Sequence, residues 1–209
     1  MRAATLLLFL LAGPAASFTE AFDDDRHHWR LDQQWRLGDG LLRAEGLPGQ
    51  VLVVGADGPE LADFKATLRA TRVGPEPADY GFGLLYRYDP LRRDGYFVAV
   101  GAGSGYGFGR IEGGHFSLLA QGRSAVIQTE GDGPLEIEVR GGRHELRFGG
   151  TLVDVYRDDE RRAGQFGLIV IDAVRVAFDQ LEIEPLGEAA TVRQLGPLPP
   201  GLAPRVLGR

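Results

Sequence analysis

Apolar and polar residues alternate with a period of two along most of the chain. Phe64, Ala66 and Leu68 fall on one side of an extended segment, whereas Lys65 and Thr67 fall on the other. This alternation is typical of half-buried β-strands. It predicts strands over Leu41–Glu45, Gln50–Val54, Asp63–Val73, Tyr80–Tyr88, Tyr96–Gly101, Gly105–Glu112, His115–Gln121, Ala125–Thr129, Leu135–Arg140, His144–Phe148, Leu152–Tyr156, Gln165–Ile171 and Val174–Glu184.

Short clusters of Gly, Pro and Asp separate these runs, as in Gly38–Gly40, Asp57–Pro59 and Gly131–Pro134. Such clusters favour tight turns. No window of about 11 residues has a helical period. A phase shift at Asp179 and Gln180 predicts a β-bulge. Many short strands joined by turns predict an all-β fold, a two-sheet antiparallel β-sandwich or jelly roll.

The two ends of the chain differ from this pattern. Residues 1–17 combine Arg2, an apolar run and the small residues Ala15–Ser17, which is typical of a secretory signal peptide. A buried first element of the fold is the alternative interpretation. From Leu186 the chain becomes rich in Pro and Gly. We therefore predict a signal peptide at 1–17, a β-sandwich domain at 18–185, and a tail at 186–209 that is either disordered or an extended strap.

Composition excludes several function classes. The chain has no Cys, which rules out disulfides, cysteine-ligated metals and thiol catalysis. Its net charge of −6 and the absence of a basic stripe argue against nucleic acid as a partner. The apolar run near the N-terminus is shorter than the roughly 20 residues that a membrane span needs. We therefore expect a secreted or periplasmic protein without a membrane span, and the sequence leaves its oligomeric state open.

Several motifs follow one another in a familiar order, although each is weak alone. The motifs are Phe22–Asp25 before Trp29, Trp35–Leu42, Asp63–Phe64, Gly81–Asp89, Gly95–Val98, Gly149–Val153, Gly164–Leu168 and Val176–Asp179. Together they resemble the laminin-G-like branch of the concanavalin A-like lectin and glucanase superfamily. They are also similar to secreted bacterial domains grouped with the 3-keto-disaccharide hydrolases. The resemblance implies a jelly roll over Phe18 to Glu184. Proteins with this fold include sugar-binding modules, glycosidases and domains without a known ligand.

Two pairs of glutamates, Glu136/Glu138 and Glu182/Glu184, have the spacing that places both members on one face of a strand. Glycoside hydrolysis needs two carboxylates about 5 to 9 Å apart. Relatives with laminarinase activity carry Glu-x-Asp-x-x-Glu on one strand, and neither pair here has the central Asp or the third carboxylate. Solvated strand faces are therefore the favoured interpretation of both pairs.

The segment Asp23–His28 contains three aspartates and two histidines, which are candidate cation ligands. Adjacent residues of an extended chain point to opposite sides, so a solvated loop is the favoured interpretation. The resemblance keeps Ca²⁺ open, since relatives often hold calcium with ligands from distant loops. We expect no other cofactor.

A glycine-rich hairpin gives the clearest local indication of a binding surface. Its turn is expected at Ala102–Ser104, and the alternation then places Gly105, Gly107 and Gly109 on one bare strand face. A bare face lets a ligand approach the backbone closely. The candidate ligand-binding residues, on sheet strands or a neighbouring loop, are Arg87, Asp89, Tyr96, Arg110 and Trp35. The same alternation predicts that four aromatic side chains face the core, namely Tyr80, Phe82, Tyr86 and Tyr88.

The best functional hypothesis from the sequence is therefore a secreted, non-catalytic module that binds an oligo- or polysaccharide. One alternative is a glycoside hydrolase similar to the 3-keto-disaccharide group, with Arg87, Asp89 or Glu112 in its site. A structural or adhesion module of the cell envelope is the other.

Overall fold

The computed structural model describes residues 17–131 and 133–187. These residues form fourteen β-strands and a single 3-10 turn at Ala102–Ser104. The strands are β1 (Phe18–Glu20), β2 (Trp35–Gly38), β3 (Leu41–Glu45), β4 (Val51–Gly55), β5 (Phe64–Val73), β6 (Gly81–Asp89), β7 (Asp94–Gly101), β8 (Gly105–Glu112), β9 (His115–Arg123), β10 (Leu135–Arg140), β11 (Arg143–Phe148), β12 (Thr151–Arg157), β13 (Gln165–Ile171) and β14 (Arg175–Pro185).

The strands form two antiparallel sheets that pack face to face as a sandwich. The larger sheet has eight strands in the order β12-β11-β10-β5-β14-β3-β2, and β1 pairs with β14 beside β3. The six-stranded sheet has the order β4-β13-β6-β7-β8-β9. This arrangement confirms the predicted all-β, two-sheet antiparallel β-sandwich.

The alternation of apolar residues explains how the sheets pack. In β5, Phe64, Ala66 and Leu68 are buried in the core between the sheets, as the sequence predicts. The long strand β14 pairs with β5 along its whole length, and its register shifts between Phe178 and Gln180. This shift confirms the predicted bulge, and it lets Phe178 and Leu181 both point into the core.

Three details differ from the sequence-based prediction. Ala125–Thr129 forms turns instead of a strand, although Ile127 within it is buried in the core. The short strands β1 and β2 were not predicted. Tyr88 packs against an apolar cluster outside the sandwich and not in the core, because β6 has a bulge between Tyr86 and Asp89. Arg87, within that bulge, has a positive φ of 47°, which reverses the side-chain parity beyond it.

The outward faces of the two sheets have different chemistry. The larger sheet presents charged side chains such as Lys65 and Glu136, which lie 3.6 Å apart. The six-stranded sheet instead presents a second apolar cluster around Leu85, Phe97 and Ile169, with glycines beside it. The central residues of this cluster are buried, and the glycines beside it leave the open surface on which the candidate site lies.

The predicted signal peptide lies outside the described residues except for Ser17. The predicted tail lies outside them beyond Gly187, and β14 ends at Pro185. Within the described ranges, no helix is long and apolar enough to cross a membrane.

Candidate functional site

A groove of about 640 Å³ crosses the outer face of the six-stranded sheet near the start of β6. Its floor is built from residues that pair across three strands. Gly81 pairs with Gly101, and Gly101 pairs with Gly105 in turn. In the neighbouring row Ala99 pairs with Gly107. We call this surface the glycine groove. Its five floor positions, which lie on three adjacent strands, carry at most a methyl group.

Residues of β9, together with Phe97 of β7, form two walls of the glycine groove. On β9, Arg123 pairs with Gly105 and Gln121 pairs with Gly107. Phe97 and Leu118 form an apolar wall on the side toward the middle of the sheet. Leu118 reaches over the floor, because a Cβ atom added to Gly107 would lie 2.7 Å from its Cδ1 atom.

The far wall of the glycine groove carries two carboxylates, Asp79 and Asp172. Asp172 has a positive φ of 63°, and its side chain accepts a hydrogen bond from the amide of Ala173 at 2.7 Å. Its own amide donates to the carbonyl of Gln50 at 2.8 Å, which fixes the loop after β13. The groove therefore presents two acidic side chains opposite a guanidinium and an amide.

The predicted bare face of β8 agrees with the structure in part. Gly105 and Gly107 line the glycine groove. Gly109 shares their face, but the ring of Phe97 covers it. Sequence reasoning missed Asp79, Gln121, Arg123 and Asp172. The predicted strand His115–Gln121 could have pointed to Gln121, because that residue lies beside the glycine hairpin.

Three of the predicted ligand-binding residues converge, but on a segment of the chain itself. The guanidinium of Arg87 donates to the carbonyl of Arg161 at 2.8 Å. The hydroxyl of Tyr96 donates to Asp158 at 2.6 Å and accepts a bond from the amide of Arg161 at 3.2 Å. Arg110 forms an ion pair with Glu160. These three side chains therefore hold residues 158–161 against the sandwich, away from the glycine groove.

Buried polar groups continue this network into the core. The Tyr86 hydroxyl lies 2.8 Å from Nδ1 of His144, and Nε2 of His144 lies 2.9 Å from the carbonyl of Asp158. Burial lowers the pKa of His144 to about 4, so the ring is neutral near pH 7. Burial also raises the pKa of Tyr96 well above its usual value, and the bond to Asp158 adds to this effect.

The pKa of Asp158 moves in the opposite direction. Burial would raise it, but hydrogen bonds from Tyr96 and the Glu160 amide, with the charge of Arg110, outweigh burial and hold this pKa below its usual value. Asp158 is therefore an anion fixed by its neighbours. The Tyr96 hydroxyl, the Asp158 carboxylate and both ring nitrogens of His144 have partners within the chain, whereas the Nε atoms of Arg110 and Arg161 have none among the described residues.

The other two predicted ligand-binding residues lie elsewhere. Trp35 is 4% exposed, and its ring stacks on Phe178 in the core at 5.9 Å between centroids. A ligand therefore does not reach Trp35, because this side of the short strand β2 faces the core. Asp89 accepts hydrogen bonds from the amides of Leu91 and Arg92 and so caps the loop after β6.

The acidic clusters are occupied by contacts within the chain. Asp24 binds Arg26 at 2.8 Å, and Asp25 accepts a bond from the amide of Trp29. Within the described part of the chain, no three His, Asp or Glu side chains are grouped as a metal site would require. The glutamate pairs lie on the outer face of the larger sheet, where Glu138 binds Arg140 at 2.7 Å.

Comparison with solved structures identifies the fold. The chain is similar to the carbohydrate binding module CBM66 from Bacillus subtilis, with a TM-score of 0.64 and 19% identity over 83% of this chain and 98% of that one. A β-1,3-1,4-glucanase (lichenase) from a mouse hindgut metagenome gives 0.63 and 12% over 82% and 100%. The laminarinase catalytic domain of Thermotoga maritima gives 0.58 and 16% over 80% and 96%.

No protein-family model and no curated protein sequence matches the chain. The fold is that of the concanavalin A-like jelly-roll sandwiches, as the sequence motifs predict.

Proposed function

We propose that the protein is an exported, non-catalytic carbohydrate-binding module that holds an oligo- or polysaccharide in the glycine groove. The carrying observation is the floor of small residues, Gly81, Ala99, Gly101, Gly105 and Gly107, beneath an open volume of about 640 Å³. A floor whose side chains are no larger than a methyl group lets a pyranose ring approach the strand backbone closely.

The walls of the glycine groove fit the hydroxyl groups of a sugar. Asp79 and Asp172 are acceptors, Arg123 is a donor, and the Gln121 amide can act as both. The apolar wall at Phe97 and Leu118 suits the C–H faces of a pyranose ring. A mostly apolar concavity with a few placed polar groups is the usual form of a small-molecule site.

Binding without hydrolysis is the favoured form of this function. The two glutamate pairs that resemble catalytic carboxylates are on the outer face of the larger sheet, and Glu136 and Glu138 are paired there with Lys65 and Arg140. Known structures with this fold include both a carbohydrate binding module and glucanases. The fold alone is therefore compatible with either activity.

A direct test is affinity electrophoresis and isothermal titration with soluble β-1,3-glucan, β-1,3-1,4-glucan and a panel of other neutral polysaccharides. Ala99→Leu places a larger side chain on the groove floor, and Arg123→Gln removes a wall donor. Each variant should weaken the binding of a polysaccharide that the wild type retains by about tenfold, the effect of roughly 1.4 kcal/mol.

Arg36→Gln is the matched control, because Arg36 is an exposed arginine on β2 of the larger sheet. It should bind like the wild type. If no polysaccharide is retained, or if Ala99→Leu binds as well as Arg36→Gln, the glycine groove is not the binding site. Release of reducing sugar from a bound polysaccharide would instead assign hydrolysis.

A further inference from the structure

A second pocket lies on the same outer face of the six-stranded sheet, at the end opposite the glycine groove. Its volume is about 240 Å³. One wall is β4 with the preceding residues Arg30 and Asp32, and the other is the loop after β6 with the tip of the β8–β9 hairpin. We call it the arginine pocket.

Arg93 is the main cation of the arginine pocket. Gly114 gives its guanidinium space, since a Cβ atom there would lie 2.7 Å from the Cζ atom of Arg93. The amide of Gly114 also donates to the carbonyl of Arg93 at 2.9 Å, which ties the two loops together. Among residues 17–131 and 133–187, Arg93 forms no ion pair with a carboxylate. Its guanidinium donates a hydrogen bond to the Tyr88 side chain, and its charge has no carboxylate partner among the described residues.

The side-chain amide of Gln165 is a second hydrogen-bond donor of the pocket. Gln165 lines the pocket and is only 4% exposed. Its side-chain nitrogen has no hydrogen-bond partner in the described part of the chain. A buried donor without a partner is unfavourable, so such a group calls for a specific explanation. A bound ligand that supplies an acceptor is that explanation here.

The remaining charged residues of the lining are paired or exposed. Arg30 forms an ion pair with Asp57 at 3.3 Å, so its charge is balanced within the chain. Asp32 is the carboxylate of the lining, and its side chain accepts a hydrogen bond from the amide of Gln34 at 2.9 Å. Arg93 is therefore the guanidinium of the lining that has no carboxylate partner among the described residues, and this favours an anionic ligand beside it.

The rest of the pocket is apolar. Val51, Val53, Tyr88 and Phe116 belong to the second apolar cluster and line the pocket as well. A ligand that fits therefore combines an anionic group with a ring or apolar face. At about 240 Å³ the volume is below the roughly 300–1,000 Å³ of pockets for drug-sized ligands, so one small unit fits.

We propose that the arginine pocket binds the carboxylate of a single uronic acid unit, with Arg93 and the Gln165 amide as donors, and that the protein selects acidic oligosaccharides. This inference rests on the proposed function, because it assigns the class of sugar that the same sheet face takes. Arginine pairs with carboxylates through two parallel hydrogen bonds. The sugar ring then lies against Phe116 or Tyr88.

Titration with cellobiouronic acid and cellobiose, followed by NMR or calorimetry, tests this proposal, because the two disaccharides differ in one carboxylate. The wild type should bind the acid at least tenfold more tightly, and added salt should reduce the preference. Arg93→Gln and Gln165→Leu should each lower the affinity for the acid several-fold and leave that for cellobiose unchanged. Arg92→Gln is the matched control, since Arg92 is an exposed neighbour that binds Asp89.

Equal affinity for the two disaccharides would overturn the proposal, and so would an unchanged preference in Arg93→Gln. Acetate that competes as well as cellobiouronic acid would assign the pocket to free carboxylates and also overturn it. Retention of a neutral polysaccharide by the glycine groove distinguishes these failures from a failure of the proposed function, in which neither neutral nor acidic sugars bind.

Discussion

Arg87 is a buried cation whose partners are mainly backbone carbonyls. It is 2% exposed and donates to Ala62 at 2.7 and 3.0 Å and to Arg161 and Gly141 at 2.8 Å each. Burial lowers its pKa, yet arginine stays charged in proteins, so each carbonyl stabilises a charge that has left water. One side chain therefore connects three segments that are far apart in the sequence.

Replacing Arg87 with lysine should destabilise the fold without a specific effect on sugar binding. Lysine cannot reproduce the planar set of donors, and the carbonyls of Arg161 and Gly141 would lose their partner. We expect the free energy of unfolding to fall by about 3 kcal/mol, as for other broken buried charge contacts. Urea denaturation measures this change.

Arg140→Lys is the control, because Arg140 is half exposed and its ion-pair partner among the described residues is Glu138. Its effect should stay within about 0.5 kcal/mol. If Arg87→Lys and Arg140→Lys unfold at the same urea concentration, the carbonyl bonds of Arg87 do not stabilise the fold.

At the scale of the strands, the sequence predicts elements whose alternation is local. Leu41–Glu45, Gly105–Glu112 and Leu135–Arg140 have the predicted bounds, since turn residues end each segment and a neighbouring strand pairs with it. Ala125–Thr129 alternates too, but it is a chain of turns in which Ile127 alone enters the core. Five residues of alternation do not define a strand when no neighbouring strand pairs with them.

The bulge in β6 shows what a single strand cannot predict. Parity places Tyr88 in the core with Tyr86, but the positive φ of Arg87 moves it to the outer face. That backbone conformation is uncommon for residues other than glycine. It is held by the bonds of Arg87 to Ala62 and Arg161, which come from other parts of the chain. The local sequence does not encode those contacts.

Gly109 offers a test of the packing on the outer face of β8. Phe97 pairs with Gly109 across β7 and β8, and a Cβ atom at position 109 would lie 2.0–2.7 Å from ring atoms of Phe97. Gly109→Ala should therefore displace the ring and lower the free energy of unfolding by about 2 kcal/mol, within the range for overpacking.

Gly38→Ala is the matched control. Gly38 also lies in a strand, but a Cβ atom there would have nothing within 4 Å. Its variant should unfold within about 0.5 kcal/mol of the wild type, or be slightly more stable. Thermal or urea unfolding of the two variants compares them directly, and equal stability would contradict the close contact of Phe97 with Gly109.

At the scale of the whole molecule, the candidate site depends on register between strands. The hairpin glycines were visible in the sequence, but the floor of the glycine groove also needs Gly81 and Ala99 to lie beside them. Arg123 enters the walls from the end of β9, and Asp172 enters them from the loop after β13. A single sequence carries alternation within a strand, whereas the order of strands and their register determine which residues meet.

His144 links the stability of the whole sandwich to pH. Its exposed fraction is zero, and its pKa is lowered from 6.5 to about 4 in the folded protein, first by burial. Between these values the unfolded chain binds a proton that the folded protein does not bind. Stability is therefore complete above pH 6.5 and declines as the pH falls toward 4, by up to about 3 kcal/mol.

His144→Gln should flatten this decline, because glutamine does not titrate and can still accept a bond from Tyr86. Urea midpoints at pH 7, 6, 5 and 4.5 measure the slope. Asp158 also loses stabilising effect below about pH 5, because its pKa is lowered in the folded protein, but it is present in both proteins and contributes to both slopes. His115→Gln, at an exposed position of β9, should keep the slope of the wild type. A wild-type slope in His144→Gln would mean that the proton is taken up elsewhere during unfolding, and the buried contact between His144 and Tyr86 would then not be the source of acid sensitivity.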